Sequence, residues 1–206
     1  IKRDDNIIKV PMNLLKILPL SRRRMDVLFE IYAEGEDYLR NIAKKLKMNP
    51  SLAFNILNKL YNAKILIKRK VGKEVLYSLN RNRDYEILTR LLEEYFLERI
   101  VEKSKDLQTI LNLLINNKEL MDFSYKIYLF GSYVAGGYTK ESDIDILFVS
   151  ENRKLVIKTC REISIIARRN LNPLIYTRKK FKSELRKKEA LLNSIVNNIR
   201  NRAVIK

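Results

Sequence analysis

The feature that most limits the fold of this chain is the segment 126–150, where two short apolar runs flank a glycine-containing turn. Residues 127–130 predict a strand, which Gly131-Ser132 interrupts. A short helix is predicted to start at Val134-Ala135 and to end at Gly136-Gly137. A second strand is predicted to open at Ser142-Asp143 and to continue to Val149. The segment therefore predicts two strands of one sheet, joined by a turn and a short helix.

Two aspartates stand at the start of the second strand. Asp143 and Asp145 are one residue apart, so on a strand their carboxylates share one face. Two adjacent like charges are unfavourable without a cation, and Mg²⁺ binds one or two carboxylates together with phosphate oxygens. Gly131 permits close approach of a phosphate, and Ser132 adds a hydroxyl near a helix N-terminus. This combination favours phosphoryl or nucleotidyl transfer with Mg²⁺ or Mn²⁺.

The pattern Gly131-Ser132, ten further residues, then Asp143-Ile144-Asp145 resembles the nucleotidyltransferase superfamily that includes DNA polymerase beta. The short chain is similar to the minimal nucleotidyltransferases of archaea and bacteria over about residues 105–185. The resemblance implies that Asp143 and Asp145 are the catalytic, metal-holding residues. It also implies that Gly131, Ser132 and Ser142 bind a nucleoside triphosphate, with ATP as the first expectation. By the same resemblance, the acceptor is a protein or nucleic-acid hydroxyl, and a helical toxin-like protein is one partner to consider.

Catalytic members of that superfamily usually carry a third carboxylate on a later strand. In this chain that strand is expected at residues 173–177, after a helix over residues 153–169, and it holds no acidic residue. Glu162 and Glu184 fall on predicted helices, which leaves Asn172 or Tyr176 for the expected place. Two functions therefore stay open: an active transferase, or an inactive transcriptional regulator whose nucleotidyltransferase-like domain senses nucleotide or mediates dimerisation.

Composition excludes several other chemistries. The 206 residues include no histidine, and Cys160 is the single cysteine, which excludes His-based catalysis, His- or Cys-ligated zinc and intramolecular disulfides. The net charge is +18, with +9 over residues 1–80, −2 over 81–122 and +11 over 123–206. Such an excess of cations favours a polyanionic partner, most often nucleic acid. No apolar run is long enough to span a membrane, so a cytoplasmic protein without a membrane partner is expected.

The first 80 residues show a second pattern. Helices are predicted from Ser21 to Gly35, over residues 39–46 and from Pro50 to Asn62, the last with an apolar set that includes Leu52 and Phe54. A strand at Ile65 and Ile67, a basic turn over residues 68–73 and a returning strand over 75–79 follow. Three helices and a basic hairpin resemble a winged helix-turn-helix.

In that module the third helix enters the DNA major groove and the hairpin, or wing, contacts phosphates. The residues expected to bind duplex DNA are polar or basic and lie on the third helix and the wing: Ser51, Asn55, Asn58, Lys59, Lys68, Arg69, Lys70 and Lys73. A purely structural or protein-binding module remains the alternative, as does an RNA-directed transferase in which both basic regions hold RNA.

Between the modules, residues 83–120 contain neither proline nor glycine, and their apolar spacing predicts two helices with a break near Ser104. This stripe would pack within the chain or form a homodimer seam. The expected fold class is therefore α+β. The expected organisation is an N-terminal arm (1–20), a winged helix-turn-helix (21–82), a helical connector (83–122) and a polymerase-beta-like nucleotidyltransferase α/β domain (123–206), whose first helix starts near residue 105.

Overall fold

The structure of the chain, a computed structural model, describes residues 21–81 and 84–206. The predicted N-terminal arm lies outside the described residues, and so does the predicted boundary at residues 82 and 83. The chain divides into two compact units after Leu92. The division falls inside one helix, Tyr85–Val101, so the region predicted as a connector is shared between the two units.

The N-terminal unit is a winged helix-turn-helix. Its elements are α1 (Arg22–Glu34), β1 (Glu36–Tyr38), α2 (Leu39–Lys45), α3 (Pro50–Asn62), β2 (Leu66–Val71) and β3 (Glu74–Leu79). The strands form an antiparallel sheet in the order β1-β3-β2. Gly35 ends α1 with φ +83, and the Asn49 side chain caps α3 by accepting from the N–H of Ser51. The predicted order of three helices followed by a hairpin is confirmed.

Two details of this unit differ from the predicted pattern. Leu52 and Phe54 are 43% and 49% exposed, because the stripe of α3 that faces the core consists of Ala53, Ile56, Leu57 and Leu60. The predicted basic turn is mostly strand, since β2 runs to Val71 and only Gly72-Lys73 form the turn. Within β2 the inward side chain is Leu66, and Ile67 points to solvent.

A buried ion cluster joins α1, β1 and α2. The Lys45 ammonium lies 3.2 Å from Glu30, 3.0 Å from Glu34 and 3.0 Å from Asp37, and the Glu30 and Asp37 side chains are almost fully buried. Burial opposes ionisation of Asp37, but hydrogen bonds from Asn41 and Lys45 outweigh it and lower the pKa of that carboxyl. Burial likewise opposes the charge on Lys45, and the three carboxylates nevertheless raise its pKa. One ammonium group therefore contacts three carboxylates at this junction and favours their charged forms.

Replacing Lys45 with methionine is expected to lower the free energy of unfolding by about 2–3 kcal/mol. The variant removes the ammonium group that contacts the buried Glu30 and Asp37 carboxylates, and the partial exposure of Lys45 keeps the loss below that of a fully buried pair. A folded carboxylate with a lowered pKa stabilises above its unfolded pKa and stops doing so as pH falls through its folded value. The deficit should therefore shrink as the pH falls below about 4, the unfolded pKa of an aspartate, and Asp37 becomes protonated.

The loss in free energy of unfolding is measured by urea titration, with circular dichroism as the signal. Lys44→Met is the matched control, because Lys44 is exposed on the same helix and its replacement should change stability by less than about 0.5 kcal/mol. Equal stabilities for the two variants at neutral pH would contradict the assignment of Lys45 as the stabilising cation.

The C-terminal unit is an α/β domain built on a four-stranded sheet. Helix α4 (Tyr85–Val101) enters it, and the elements that follow are α5 (Lys105–Asn116), α6 (Lys118–Phe123), β4 (Ser124–Phe130), α7 (Ser132–Ala135), β5 (Ile144–Ser150), α8 (Arg153–Ala167), β6 (Leu171–Tyr176), α9 (Arg178–Arg186), α10 (Ala190–Asn197), a 3₁₀ turn (Ile199–Asn201) and β7 (Arg202–Val204). The strand order is β6-β5-β4-β7, with β5 and β6 parallel and the other pairs antiparallel. Ser104 caps α5, where the sequence predicts a helix break.

Both faces of this sheet are covered, which explains the continuous apolar run of β5. One face packs with α5 and α8 around Ile127, Ile146 and Phe148. The other packs with α9 and α10 around Tyr128, Leu147 and Phe181. Cys160 of α8 lies in the first core, and burial raises the pKa of its thiol to about 12, so the thiol is not a nucleophile.

Some elements of this unit extend beyond the predicted pattern. The strand predicted at residues 127–130 begins three residues earlier, the later strand is Leu171–Tyr176 rather than 173–177, and α8 ends at Ala167 rather than Arg169. Helix α6 and strand β7 are not predicted at all. β7 has only three residues, too few for an alternating pattern, and it is defined by its pairing with β4. Within residues 21–81 and 84–206, no helix has the length and apolar content needed to cross a membrane.

Candidate functional site

The candidate site lies where β4 ends and β5 and β6 begin. The sheet register places Phe130, Asp145 and Asn172 side by side on three neighbouring strands. Asp145 points to the same face as Leu147, because the two are separated by one residue. Asp143 immediately precedes β5 and is exposed, whereas Asp145 is half-buried. The two predicted carboxylates therefore stand at the open end of a strand whose remainder is buried.

The close approach of Asp145 requires a glycine at position 131. Its φ of +75° and ψ of −151° belong to a region that is essentially restricted to glycine. A Cβ at this position would lie 3.0 Å from Cγ and 3.2 Å from Cβ of Asp145, and closer still to the carboxylate oxygen Oδ2. The absence of a side chain at Gly131 is thus what lets the carboxylate occupy its position beside the turn.

Asn172 lies on β6, the strand on which the family resemblance predicts a third carboxylate. It is the register partner of Asp145 on the parallel strand β6, and its Nδ2 donates to Asp145 Oδ1 at 2.9 Å. Strand β6 carries no acidic residue. Glu162 and Glu184 lie on α8 and α9 and are paired there with lysines. Of the two residues proposed for this place from the sequence, Asn172 is the one adjacent to Asp145.

The loop that carries Asp143 is anchored by residues that the sequence did not single out. Tyr133 and Tyr138 stack with ring centroids 4.3 Å apart, and Tyr138 donates to the backbone carbonyl of Lys103 at 2.8 Å. Arg169 donates to the Tyr133 hydroxyl at 2.6 Å and to the carbonyl of Thr139 at 3.3 Å. The three hydrogen bonds join positions 30 to 36 residues apart, so no local spacing could have indicated them.

The two predicted serines occupy different settings. Ser132 opens α7 and is half-buried, and its carbonyl accepts from Gly136 and Gly137. The Ser142 hydroxyl oxygen accepts from the N–H of Thr139 at 2.8 Å and thereby closes the loop before Asp143. Ser142 therefore shapes the turn, whereas Ser132 stands directly beside Gly131.

Asp143 and Asp145 are the predicted carboxylate donors for a metal at this site. In the part of the chain that the structure describes, no group of three or more Asp, Glu, His or Cys residues is arranged to hold an ion. Asp145 keeps its oxygen Oδ2 on the Gly131 side, because Oδ1 accepts from Asn172. A two-carboxylate site suits Mg²⁺ or Mn²⁺ when phosphate oxygens and water complete the coordination.

The predicted DNA-contacting residues lie on α3 and on the wing. Ser51, Asn55 and Lys59 are exposed on α3, and Asn58 is half-buried. On β2 the side chains alternate, so the exposed Lys68 and Lys70 share one face. The Lys68 ammonium lies 4.1 Å from the Tyr61 ring centroid, which places that face on the α3 side.

Arg69 is separated from this group. Its guanidinium forms two contacts with the Glu36 carboxylate, at 2.9 and 3.0 Å, on the opposite face of the wing. Lys73 is exposed at the wing tip, next to Gly72 with φ +59. The structure thus brings Lys68 and Lys70 beside α3 and directs Arg69 elsewhere.

Comparisons with known proteins identify similar sequences and folds. The family model described as "Nucleotidyltransferase domain" matches residues 113–197. A protein of Methanocaldococcus jannaschii, named as a candidate protein adenylyltransferase, is 34% identical over 86 residues, which cover 39% of this chain and 78% of that protein. Among solved structures, reduced HlyU from Vibrio cholerae is 22% identical with a TM-score of 0.36, covering 40% of this chain and 85% of HlyU. The AntR antimony-specific transcriptional repressor is 23% identical with a TM-score of 0.38, covering 44% of this chain and 78% of AntR.

Proposed function

This chain belongs to the nucleotidyltransferase family, and on that premise we propose that it is a DNA-binding nucleotidyltransferase. The proposed reaction joins an acceptor hydroxyl oxygen to the α-phosphorus of a nucleoside triphosphate. The bond between the α-phosphorus and the bridging oxygen breaks, pyrophosphate leaves, and the hydroxyl proton passes to solvent. The observation that carries the proposal is the close approach of Asp145 to Gly131, at the end of β5 that Asp143 immediately precedes.

In the proposed reaction, each residue of the candidate site has a distinct role. Asp143 and Asp145 would hold Mg²⁺ or Mn²⁺, which when bound neutralises charge on the phosphate oxygens. Gly131 lets the triphosphate and the Asp145 carboxylate approach the same turn, and Ser132 donates its hydroxyl to a phosphate oxygen. Asn172 orients the Asp145 carboxylate through their 2.9 Å hydrogen bond. Ser142 acts indirectly, by closing the loop that positions Asp143.

The name of the Methanocaldococcus relative makes ATP the first nucleotide to test and a protein hydroxyl the first acceptor. A helical toxin-like protein is the partner to include among those acceptors. DNA and RNA hydroxyls complete the set, because the basic surfaces of the chain would bring them near the site.

The experiment that tests the proposal uses the full chain with ATP, CTP, GTP or UTP labelled on the α-phosphate, in Mg²⁺ or Mn²⁺. DNA, RNA and cell-extract proteins serve as acceptors. Label should appear on one acceptor class and be absent with the matched variant Asp143→Asn/Asp145→Asn, which keeps the side-chain shapes and removes both charges. Label that persists at the parent level in this variant would refute the assignment of the aspartates.

A second candidate function rests on Asn172. Because an amide stands where a third carboxylate would help activate the attacking hydroxyl, the domain would bind nucleotide without turnover and act as a sensor in a transcriptional regulator. Nucleotide binding that depends on a divalent cation, combined with no transfer to any acceptor, favours this candidate. Size-exclusion measurements with and without ATP then test whether nucleotide controls the predicted homodimer.

The proposed DNA contacts lead to a prediction about salt dependence. Lys68→Ala/Lys70→Ala should reduce the slope of log affinity for duplex DNA against log salt by about 1.8, because each phosphate contact contributes about 0.9. Both ammonium groups lie on the α3 side of the wing. Fluorescence anisotropy with a labelled duplex at several salt concentrations measures the slope.

Arg69→Ala is the control for this prediction. It removes a cation from the same strand, but one that already pairs with Glu36 on the other face. The slope should stay within experimental error of the parent. A larger change in slope for Arg69→Ala than for the lysine pair would show that the opposite face of the wing contacts DNA.

A further inference from the structure

A second surface lies at the end of the C-terminal sheet opposite the candidate site. Strand β4 begins and strands β5 and β6 end there, since Ser124 pairs with Ser150 and Val149 pairs with Tyr176. Asp145 pairs with Phe130 at the other end of the same strands. Seven residues at about 3.3 Å each separate the two ends by about 20 Å. Whatever binds at this end is therefore distinct from the nucleotide proposed at Asp145.

Two large aromatic side chains are exposed at this end. Phe123 and Tyr125 are 55% and 45% exposed. Their backbone is nevertheless anchored to the sheet, because the Ser150 hydroxyl donates to the Phe123 carbonyl at 2.9 Å and accepts from the N–H of Asn152. The rings are thus held outward on a fixed backbone rather than on a loose loop.

Cations lie beside two of the aromatic rings at this end, those of Tyr125 and Tyr176. The Arg178 guanidinium lies 4.6 Å from the Tyr125 ring centroid, and the Lys126 ammonium lies 5.8 Å from the same centroid. Lys180 lies 5.5 Å from the Tyr176 ring at the end of β6. We call the group of Phe123, Tyr125, Lys126, Tyr176, Arg178 and Lys180 the aromatic-basic surface.

Further basic residues lie at the same end of the sheet. Helices α8 and α9 both begin there, and neither has an acidic residue in its first turn. Arg153 and Lys154 open α8, and Lys179 adds to Arg178 and Lys180 on α9. A helix dipole disfavours cations at these positions, so helix stability does not explain them. Acids also lie near this end: Glu151 accepts from the backbone N–H of Arg178, and burial together with the charges of Glu189 and Glu184 raises the pKa of Tyr176.

We propose that the aromatic-basic surface binds single-stranded nucleic acid. Rings interleaved with cations match a strand whose bases are free to stack and whose phosphates lie between them. A duplex fits less well, because its bases already stack on each other and offer no face to Phe123 or Tyr125. The proposal depends neither on nucleotidyl transfer at Asp145 nor on duplex binding by the wing.

The test measures binding of the full chain to a labelled oligouridylate, an oligothymidylate and a duplex, each of about 20 units, by fluorescence anisotropy at one fixed salt concentration. Phe123→Ala/Tyr125→Ala removes both rings and keeps the net charge. Its affinity for at least one single strand should fall about tenfold or more, while its affinity for the duplex changes less than about twofold. The two oligonucleotides show whether the strand is RNA, DNA or either.

Two variants serve as controls. Phe123→Tyr/Tyr125→Phe keeps both ring faces and should retain the parent affinity for single strands. Ile165→Ala/Ile166→Ala removes two exposed apolar side chains elsewhere in the same unit and should also leave that affinity unchanged. Unchanged single-strand affinity in the alanine variant, or an equal loss for single strand and duplex, would overturn the proposal.

Discussion

Replacing Gly131 with alanine is expected to destabilise the C-terminal unit by about 3 kcal/mol or more and to abolish nucleotide binding that depends on a divalent cation. Two costs combine. The backbone at Gly131 is in a region that alanine adopts only with strain, of about 1–3 kcal/mol. The new Cβ would also meet the Asp145 side chain, with Cγ only 3.0 Å away, so the carboxylate must leave its place beside the turn. Thermal unfolding and titration with ATP and Mg²⁺ measure the two effects.

Gly136→Ala is the matched control for this prediction. Gly136 also has a positive φ, +82°, but a Cβ there would meet nothing within 4 Å. Its replacement should therefore lower the free energy of unfolding only through backbone strain, by about 1–2 kcal/mol, and leave nucleotide binding intact. Equal loss of nucleotide binding in both variants would mean that backbone strain alone disturbs the site, and that the contact between Gly131 and Asp145 has no special role.

Asn172→Asp is expected to raise the rate of nucleotidyl transfer about 100-fold over the parent. The new carboxylate would stand at the register position beside Asp145, where it can accept the proton of an attacking hydroxyl. Without a divalent cation, the pair of carboxylates should repel and lower the melting temperature. Added Mg²⁺ should then stabilise this variant more than the parent, which gives a second measurement independent of the acceptor.

The comparison that isolates the carboxylate is Asn172→Ala. This variant loses the hydrogen bond to Asp145 without gaining a charge, so it should show neither the faster transfer nor the larger Mg²⁺ effect. If Asn172→Asp binds ATP and Mg²⁺ but transfers no faster than the parent, the missing carboxylate does not limit the reaction. The limiting factor would then be the acceptor.

The sequence predicted those parts of the fold that depend on local pattern. The three helices and hairpin of the N-terminal unit follow from apolar spacing and from residues such as Gly35 and Asn49, which act on their immediate neighbours. The pair Asp143 and Asp145 is likewise a local signal, although the strand begins at Ile144 and only Asp145 lies within it. Strand β7 escaped prediction because three residues acquire strand geometry only by pairing with β4, some 75 residues away.

The residues of the candidate site likewise fall into those that local spacing predicts and those that depend on distant contacts. Gly131 and the aspartates could be selected from their spacing, whereas the hydrogen bonds of Tyr133 to Arg169 and of Tyr138 to Lys103 join distant positions that no local spacing encodes. The sequence left Asn172 and Tyr176 as alternatives, since it could not give the register between β5 and β6. Nor could the sequence show that Arg69, one of the predicted DNA contacts, pairs with Glu36, because that ion pair spans 33 residues.

The hydrogen bond between Asn172 and Asp145 also has an evolutionary consequence. The codons of asparagine and aspartate differ by one base, and the two side chains have nearly the same shape. The strand register, the Gly131 turn and the two remaining aspartates are built by other residues and need not change with position 172. Under the proposed function, one substitution at position 172 would therefore separate a chain that holds a nucleotide from one that transfers it, on the same fold.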